Sequence, residues 1–220
     1  FLEQGLFARS LEATEQASTL MVAQTALLTT ELKRYADERL VGTWRQMARR
    51  TIAWSRTNQA TAILVNKADR RLTIYRNGRP VVSYQVRLGY NGIMEKRYKG
   101  DGATPEGQYR VVKKRDRGET QFYRALLLDY PNAEDRRRFH EARRGGAIPA
   151  GAIIGGQIEI HGESGLPMSQ TLGCLMLDNR QMDKLFERIE VGAPVTIIGA
   201  LKVSNPVALA LADLEQFEEG

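Results

Sequence analysis

Hydrophobic positions along the chain change their spacing near residue 57. Before that point the spacing is closer to a helical repeat than to alternation, and no proline interrupts the segment; the apolar positions are Leu6, Leu11, Ala17, Met21, Leu28, Leu32 and Tyr35. Gly42 is expected to divide this segment into a long helix and a shorter one that carries Trp44, Met47 and Ile52. Such helices serve as stalks, dimerisation elements or packing partners, and we assign this segment no chemistry.

After residue 57 the pattern becomes typical of β-strands. Residues 62–65 form an apolar run, residues 71–75 alternate, and Asn77-Gly78 supplies a hairpin turn before a return strand over 82–88. Further strands are predicted at 108–113, 123–129 and 158–161. Helices are predicted at 133–144 and from Asp178 to Gly192, and a last strand at 195–198 is expected to close the sheet.

These elements predict a mainly β fold, a sandwich or half-open barrel with a few helices, preceded by an N-terminal α-helical segment. We divide the chain into a helical segment over 1–57, a β-rich domain over 58–200 and a loosely held tail over 201–220. Two long connections, 89–107 and 130–156, are expected to act as binding loops or lids.

Composition narrows the class of protein only modestly. The chain has 220 residues with a formal net charge of +6, which favours anionic surroundings such as cell-wall polymers, lipid headgroups or nucleic acid. No run of eighteen apolar residues is present. Because the sequence starts at Phe1 rather than methionine, we expect a processed or excised form whose export signal or membrane anchor lies outside it.

The only cysteine, Cys174, and one of the two histidines, His161, lie thirteen positions apart. Cys174 could be a small buried hydrophobe and His161 a core histidine. Alternatively, a strand ending at His161 and a glycine corner at Gly173 would bring an imidazole base beside a thiol nucleophile. The amides of Gly173 and Cys174 would then form an oxyanion hole, and a backbone carbonyl would be enough to orient the imidazole.

Other candidate sites are weaker. His140 lies in a charged segment and is expected on the surface, as is the arginine run 136–138, so we expect no nucleic-acid partner. The sequence has no CxxC, HxH or HExxH motif, and its Gly100–Gly107 segment lacks the lysine-serine pair of a phosphate loop. We therefore expect neither a metal nor another cofactor.

Two separated motifs resemble the L,D-transpeptidase (YkuD-type) catalytic domain family of bacterial cell-wall enzymes. The first is His161-Gly162 followed by Thr171-Leu172-Gly173-Cys174. The second lies upstream and consists of Lys96, Gly100, Asp101, Thr104, Pro105, Glu106, Gly107 and Tyr109. The turn Tyr130-Pro131-Asn132 followed by Asp135 resembles the subgroup of that family common in Gram-negative bacteria. The resemblance covers about residues 60 to 200.

The resemblance implies that Cys174 is the nucleophile, His161 the base and the carbonyl of Gly162 the group that orients the imidazole. Substrate-binding roles are implied for Tyr109, Thr171, Leu172 and Met176, although many members have an arginine where Met176 stands. The implied substrate is a peptidoglycan stem peptide, attacked at its third residue, a diamino acid. The implied acceptor is an amine of another stem peptide or of an envelope lipoprotein, and the implied location is the periplasm or cell envelope.

Three alternatives remain open on sequence grounds. The same Cys–His site would serve a peptidoglycan hydrolase that uses water as acceptor. A non-catalytic scaffold on the same fold would be favoured by a thiol that alkylates no faster than free cysteine at neutral pH. A basic nucleic-acid binder would show steeply salt-dependent affinity for DNA.

Overall fold

The computed structural model of the chain describes residues 2–164 and 171–218, and its N-terminal part is helical as predicted. Helix α1 spans Leu2–Leu32, a 3-10 turn follows at Lys33–Tyr35, and helix α2 spans Glu38–Thr57. The expected break at Gly42 is wrong. The break falls at residues 33–37 because the Asp37 side chain accepts a hydrogen bond from the Leu40 amide at 2.8 Å and thereby starts α2.

The β-rich part is one eight-stranded mixed sheet that curves into a half-barrel. Its strands are β1 (Thr61–Asn66), β2 (Arg71–Arg76), β3 (Arg79–Gln85), β4 (Gly107–Arg115), β5 (Ala125–Leu128), β6 (Glu159–His161), β7 (Leu175–Met176) and β8 (Pro194–Ile198). Their order is β3-β2-β1-β8-β4-β5-β6-β7. This confirms the mainly β fold with an N-terminal helical segment. However, β8 does not close the sheet: it lies in the middle, parallel to β1 and antiparallel to β4.

Local signals in the sequence produce the expected local structure. Asn77 and Gly78 adopt the positive φ angles, 54° and 75°, that a tight hairpin turn requires. Helix α3 (Ala133–Arg144) begins with a capping box between Asn132 and Asp135. Helix α4 (Asn179–Arg188) begins where the Asp178 carboxylate accepts the Gln181 amide hydrogen at 2.8 Å.

Helix α2 packs on the outer face of the sheet, over β1 and β8. Its buried side chains Val41, Trp44 and Ala48 join Leu64 of β1 and Ile198 of β8 in one apolar cluster. The close approach requires Gly199, because a Cβ there would overlap the Trp44 ring. A separate and larger apolar cluster fills the inside of the half-barrel and supports β6 and β7.

A buried ionic network connects the N-terminal segment to the connection that precedes β4. The ammonium of Lys67, fully buried, contacts Glu106 Oε1 at 2.8 Å and donates hydrogen bonds to the carbonyls of Met94 and Thr104. Arg34 of the 3-10 turn binds the other oxygen of Glu106 at 2.6 Å. Since these partners replace the solvation that the charges lose on burial, the network fixes the Gly100–Gly107 segment against the sheet.

Residues 206–218 of the expected loose tail form helix α5 (Pro206–Glu218), whose Leu211 is buried. Its first turn is fixed by Asn205, which accepts from the amides of Val207 and Ala208 and donates to the Tyr35 carbonyl. None of the helices in the described ranges is both long and apolar enough to cross a membrane.

Candidate active site

Strands β6 and β7 bring His161 and Cys174 to one cavity, as the sequence predicted for neighbouring strands. The strands are parallel, with Ile160 opposite Leu175 and His161 opposite Met176. Because side chains alternate along a strand, Ile160 enters the core while Glu159 and His161 share the other face. His161, Cys174, Glu159 and Met176 line a cavity of about 640 Å³, which we call the Cys174 cavity.

The imidazole of His161 is fixed from two sides. Its Nδ1 lies 2.6 Å from the carbonyl oxygen of Gly162, so Nδ1 carries the hydrogen and Nε2 keeps the lone pair. Phe122 stacks on the ring, with centroids 3.6 Å apart and planes 12° from parallel. Nε2 is buried and has no hydrogen-bond partner within the described residues. The free lone pair is what a general base needs.

The corner before Cys174 is built from close backbone contacts. Gly173 has a φ of +133°, and a Cβ on it would lie 2.7 Å from the carbonyl oxygen of Ala103. The Thr171 hydroxyl donates to the Cys174 carbonyl at 2.6 Å and accepts from the Gly173 amide at 3.3 Å. Thr104 Oγ1 accepts from the Gly89 amide at 3.1 Å, next to the same corner. The Gly100–Gly107 motif is thus part of the support for Cys174.

These contacts leave the expected oxyanion hole with one of its two predicted amide donors. The Gly173 amide is engaged by the Thr171 hydroxyl, whereas the amide of Cys174 donates to no acceptor in the part of the chain that the structure describes. Of the two predicted donors, only Cys174 N–H is therefore free to meet a developing negative charge.

The thiol of Cys174 rests away from the imidazole. Sγ accepts a hydrogen bond from the Glu159 amide at 3.4 Å and donates one to the Gln157 carbonyl at 3.5 Å. Burial raises the pKa of Cys174 to about 11, opposed by the Glu159 amide, and burial also lowers the pKa of His161 to about 4. At neutral pH the resting pair is therefore a neutral thiol and a neutral imidazole.

Comparison with known proteins identifies the family of this chain. A family model of the YkuD L,D-transpeptidase catalytic domain matches residues 60–197. The chain belongs to the L,D-transpeptidase catalytic domain family.

Two relatives show how far the similarity extends. YafK of Escherichia coli is 26% identical over 105 residues, which cover 48% of this chain and 35% of YafK. The solved structure of Pgp2, a helical cell shape determining protein of Campylobacter jejuni, is 26% identical with a TM-score of 0.51, covering 73% of this chain and 56% of Pgp2. The chain thus spans about a third of the length of the curated relatives it matches.

The L,D-transpeptidase domain places three of the four predicted substrate-binding residues in the Cys174 cavity. Thr171 and Met176 line its wall, and Leu172, 67% exposed, lies at its edge. Tyr109 does not lie there. It is 2% exposed, and its hydroxyl donates to Asp135 at 3.0 Å, so its position is one of core support.

Met176 pairs with Arg87, which lies on the neighbouring segment of the domain. Arg87 and Met176 exchange two backbone hydrogen bonds, of 2.9 and 2.8 Å. The Arg87 guanidinium contacts Glu163 at 3.1 Å, and its charge contributes to the lowered pKa of His161.

Sequence reasoning missed several residues of the L,D-transpeptidase cavity. Phe122, Glu159 and Arg115 all lie in its wall. Glu159 was detectable, because it lies two positions before His161 and therefore on the same face of the strand. Arg115 was not detectable in the sequence, because its position in the cavity wall depends on the order of β4, β5 and β6 in the sheet. Within the described ranges, no group of three or more His, Cys, Asp or Glu side chains could hold a metal ion.

Proposed function

We propose that Cys174 attacks the carbonyl carbon of the third residue of a peptidoglycan stem peptide and that the acyl group then passes to an amine. The observation that carries the proposal is the free Nε2 lone pair of His161 in the same cavity as the Cys174 thiol, with the imidazole fixed through Gly162. Membership of a family that acts on peptidoglycan supports the choice of substrate.

The first half of the reaction forms a thioester. Rotation about the Cα–Cβ bond of Cys174 takes Sγ from its Gln157 contact towards His161, whose Nε2 accepts the thiol proton as sulfur attacks the carbonyl. The Cys174 amide stabilises the oxyanion. The tetrahedral intermediate breaks its C–N bond, and the imidazolium returns the proton to the departing D-alanine amine.

The second half restores the thiol. An amine enters the cavity and gives a proton to His161 Nε2 as its nitrogen attacks the thioester. The C–S bond then breaks, an amide forms, and the imidazolium protonates the sulfur. Water as acceptor would follow the same proton path and yield a carboxylic acid, which is the hydrolase alternative.

We place the reaction at the cell envelope, in the periplasm, where the substrate polymer lies. A stem peptide of another chain or an envelope lipoprotein would supply the acceptor amine. The cell-wall role of the family supports this location.

The test is mass spectrometry of the products formed with defined disaccharide tetrapeptides, with and without an added amine. We expect loss of D-alanine, a thioester adduct on Cys174 and an amide product that depends on the amine. Only free acid in both conditions would favour hydrolysis. Unchanged turnover by a Cys174→Ala variant would refute the proposal.

A further inference from the structure

The end of helix α1 and the 3-10 turn hold the connection 89–107, which supports the Cys174 corner. Glu31 Oε1 lies 2.6 Å from Arg97 Nη2, and the Tyr35 hydroxyl donates to the Ile93 carbonyl at 2.6 Å. Glu31 and Tyr35 both precede the part of the chain that matches the catalytic domain family. A segment outside the family match therefore binds a loop on which the candidate site depends.

Arg34 makes the firmest of these contacts. Its Nη1 and Nη2 atoms bind the two carboxylate oxygens of Glu106 at 3.1 and 2.6 Å, the bidentate geometry that suits a guanidinium. The Arg34 side chain is 14% exposed, and its guanidinium lies 5.3 Å from the centre of the Trp44 ring. Because Lys67 also contacts Glu106, removal of the Arg34 charge leaves no unpaired buried carboxylate.

A short series of contacts leads from this network to the Cys174 corner. The Lys67 ammonium donates to the Thr104 carbonyl at 2.8 Å, and the Thr104 hydroxyl accepts from the Gly89 amide at 3.1 Å. A Cβ on Gly89 would lie 2.8 Å from the Gly173 nitrogen, so these two backbones are in direct contact. Gly173 in turn sets the direction in which the Cys174 side chain leaves the backbone.

His161 is held by a different part of the chain. Its ring is fixed by the Gly162 carbonyl and by Phe122, which lies between β4 and β5. The connection 89–107 thus positions the nucleophile, whereas the neighbourhood of β5 and β6 positions the base. A shift of the connection changes the distance between the two reacting groups and leaves the imidazole in place.

We propose that Arg34 is a positioning residue for Cys174 and acts through Glu106 and the connection 89–107. Building on the proposed function, this makes the N-terminal helical segment part of what aligns the nucleophile. A displacement of α1 would then change the rate of acylation without any contact between α1 and the substrate.

The first test is turnover of a disaccharide tetrapeptide by the full chain carrying Arg34→Met, which keeps an unbranched side chain against Trp44. We expect kcat to fall about tenfold or more, because small displacements of a nucleophile are costly in rate. KM should stay within about twofold, since Arg34 does not line the Cys174 cavity. Arg34→Lys keeps the charge but not the bidentate contact and should recover part of kcat.

The matched control is the neighbouring cation. Lys33 contacts Glu215 at 3.1 Å, with its side chain 61% exposed. Surface ion pairs of this kind contribute little, so Lys33→Met should keep the wild-type kcat. An equal fall of kcat in Lys33→Met and Arg34→Met would overturn the assignment.

The second test is hydrogen exchange followed by mass spectrometry, which needs no substrate. Arg34→Met should speed exchange about tenfold or more in peptides covering residues 171–177, while the hairpin 71–85 keeps its wild-type rate. A general loss of stability would instead raise exchange in both regions, and that result would overturn the positioning role.

The two tests separate this inference from the proposed reaction. Faster exchange confined to the corner, in a protein whose wild type turns over no tetrapeptide, would support the coupling and refute the chemistry. A wild type that turns over the tetrapeptide, together with an Arg34→Met variant whose kcat lies within about twofold of it, would refute the positioning role and leave the chemistry in place.

Discussion

The neutral state of the resting Cys174–His161 pair leads to a quantitative prediction for thiol reactivity. Burial raises the pKa of Cys174 from an ordinary 9.0 to about 11. Two pKa units lower the thiolate fraction at pH 7 about 100-fold, and only the thiolate is an efficient nucleophile. Native protein should therefore react with iodoacetamide at least about 100-fold more slowly than the same chain unfolded in urea.

The assay is simple because Cys174 is the only cysteine. The rate of mass gain is measured between pH 6 and 10 for native and unfolded chain. The native rate should rise about tenfold per pH unit throughout, because the pKa lies above the range, whereas the unfolded rate should level off near pH 9. A native plateau below pH 8 would show a stored thiolate–imidazolium pair and refute the reasoning.

The low pKa of His161 predicts that the rate of catalysis, unlike the rate of alkylation, hardly changes with pH between about 5 and 8. His161 acts as base in its neutral form, and burial lowers its pKa to about 4. At pH 5 about nine-tenths of the imidazole is then neutral, against about 3% for an ordinary pKa of 6.5. The kcat/KM for acylation should hold level from pH 8 down to about 5 and fall near pH 4, while circular dichroism confirms that the chain stays folded.

Three substitutions, two of them paired with a companion variant, test the contacts around Cys174, around Lys67 and under helix α2. Thr171→Val removes the hydroxyl that joins the Gly173 amide to the Cys174 carbonyl; we expect a loss of about 1–3 kcal/mol in unfolding free energy and slower acylation of Cys174. Glu106→Gln weakens the partner of the fully buried Lys67; urea unfolding should show a loss of about 3–5 kcal/mol, part of which Lys67→Met should recover if the unpaired charge is the cause. Gly199→Ala places a methyl group against the indole ring of Trp44 and should lower the free energy of unfolding by about 1–3 kcal/mol. Gly42→Ala adds a methyl group in open space on α2 and should raise the free energy of unfolding by up to about 1 kcal/mol. Equal melting temperatures for these two glycine variants would argue against tight packing of α2 on the sheet.

The helices and the hairpin could be predicted because their signals are local. Asn77-Gly78 imposes a turn whatever surrounds it, and Asp178 caps α4 within its own turn. The central position of β8 in the sheet, in contrast, could not be predicted from local signals. It pairs with β1, more than a hundred residues away, and nothing in its own apolar run distinguishes a central strand from an edge strand.

Some features of the candidate site could also be predicted from local sequence, and others depend on the folded surroundings. The His161-Gly162 and Thr171–Cys174 motifs lie within short stretches, and the structure brings them together at parallel neighbouring strands. The protonation states of the pair were not accessible, since they depend on burial under residues such as Phe122 and on the Glu159 amide. The engagement of the Gly173 amide likewise required the actual position of the Thr171 hydroxyl.

The neutral pair also changes which experiment can separate an enzyme from a scaffold on this fold. If an active site required a cysteine that is already deprotonated before substrate binds, slow alkylation at neutral pH would favour a non-catalytic scaffold. Here slow alkylation is expected of the enzyme itself, because Nε2 of His161 takes the proton only as the thiol attacks a bound carbonyl. Oxidants that need a thiolate are slowed by the same factor, so burial protects a lone cysteine without disabling it. Thiol reactivity towards small electrophiles therefore cannot decide between the two, and only a substrate that reaches both Cys174 and His161 can.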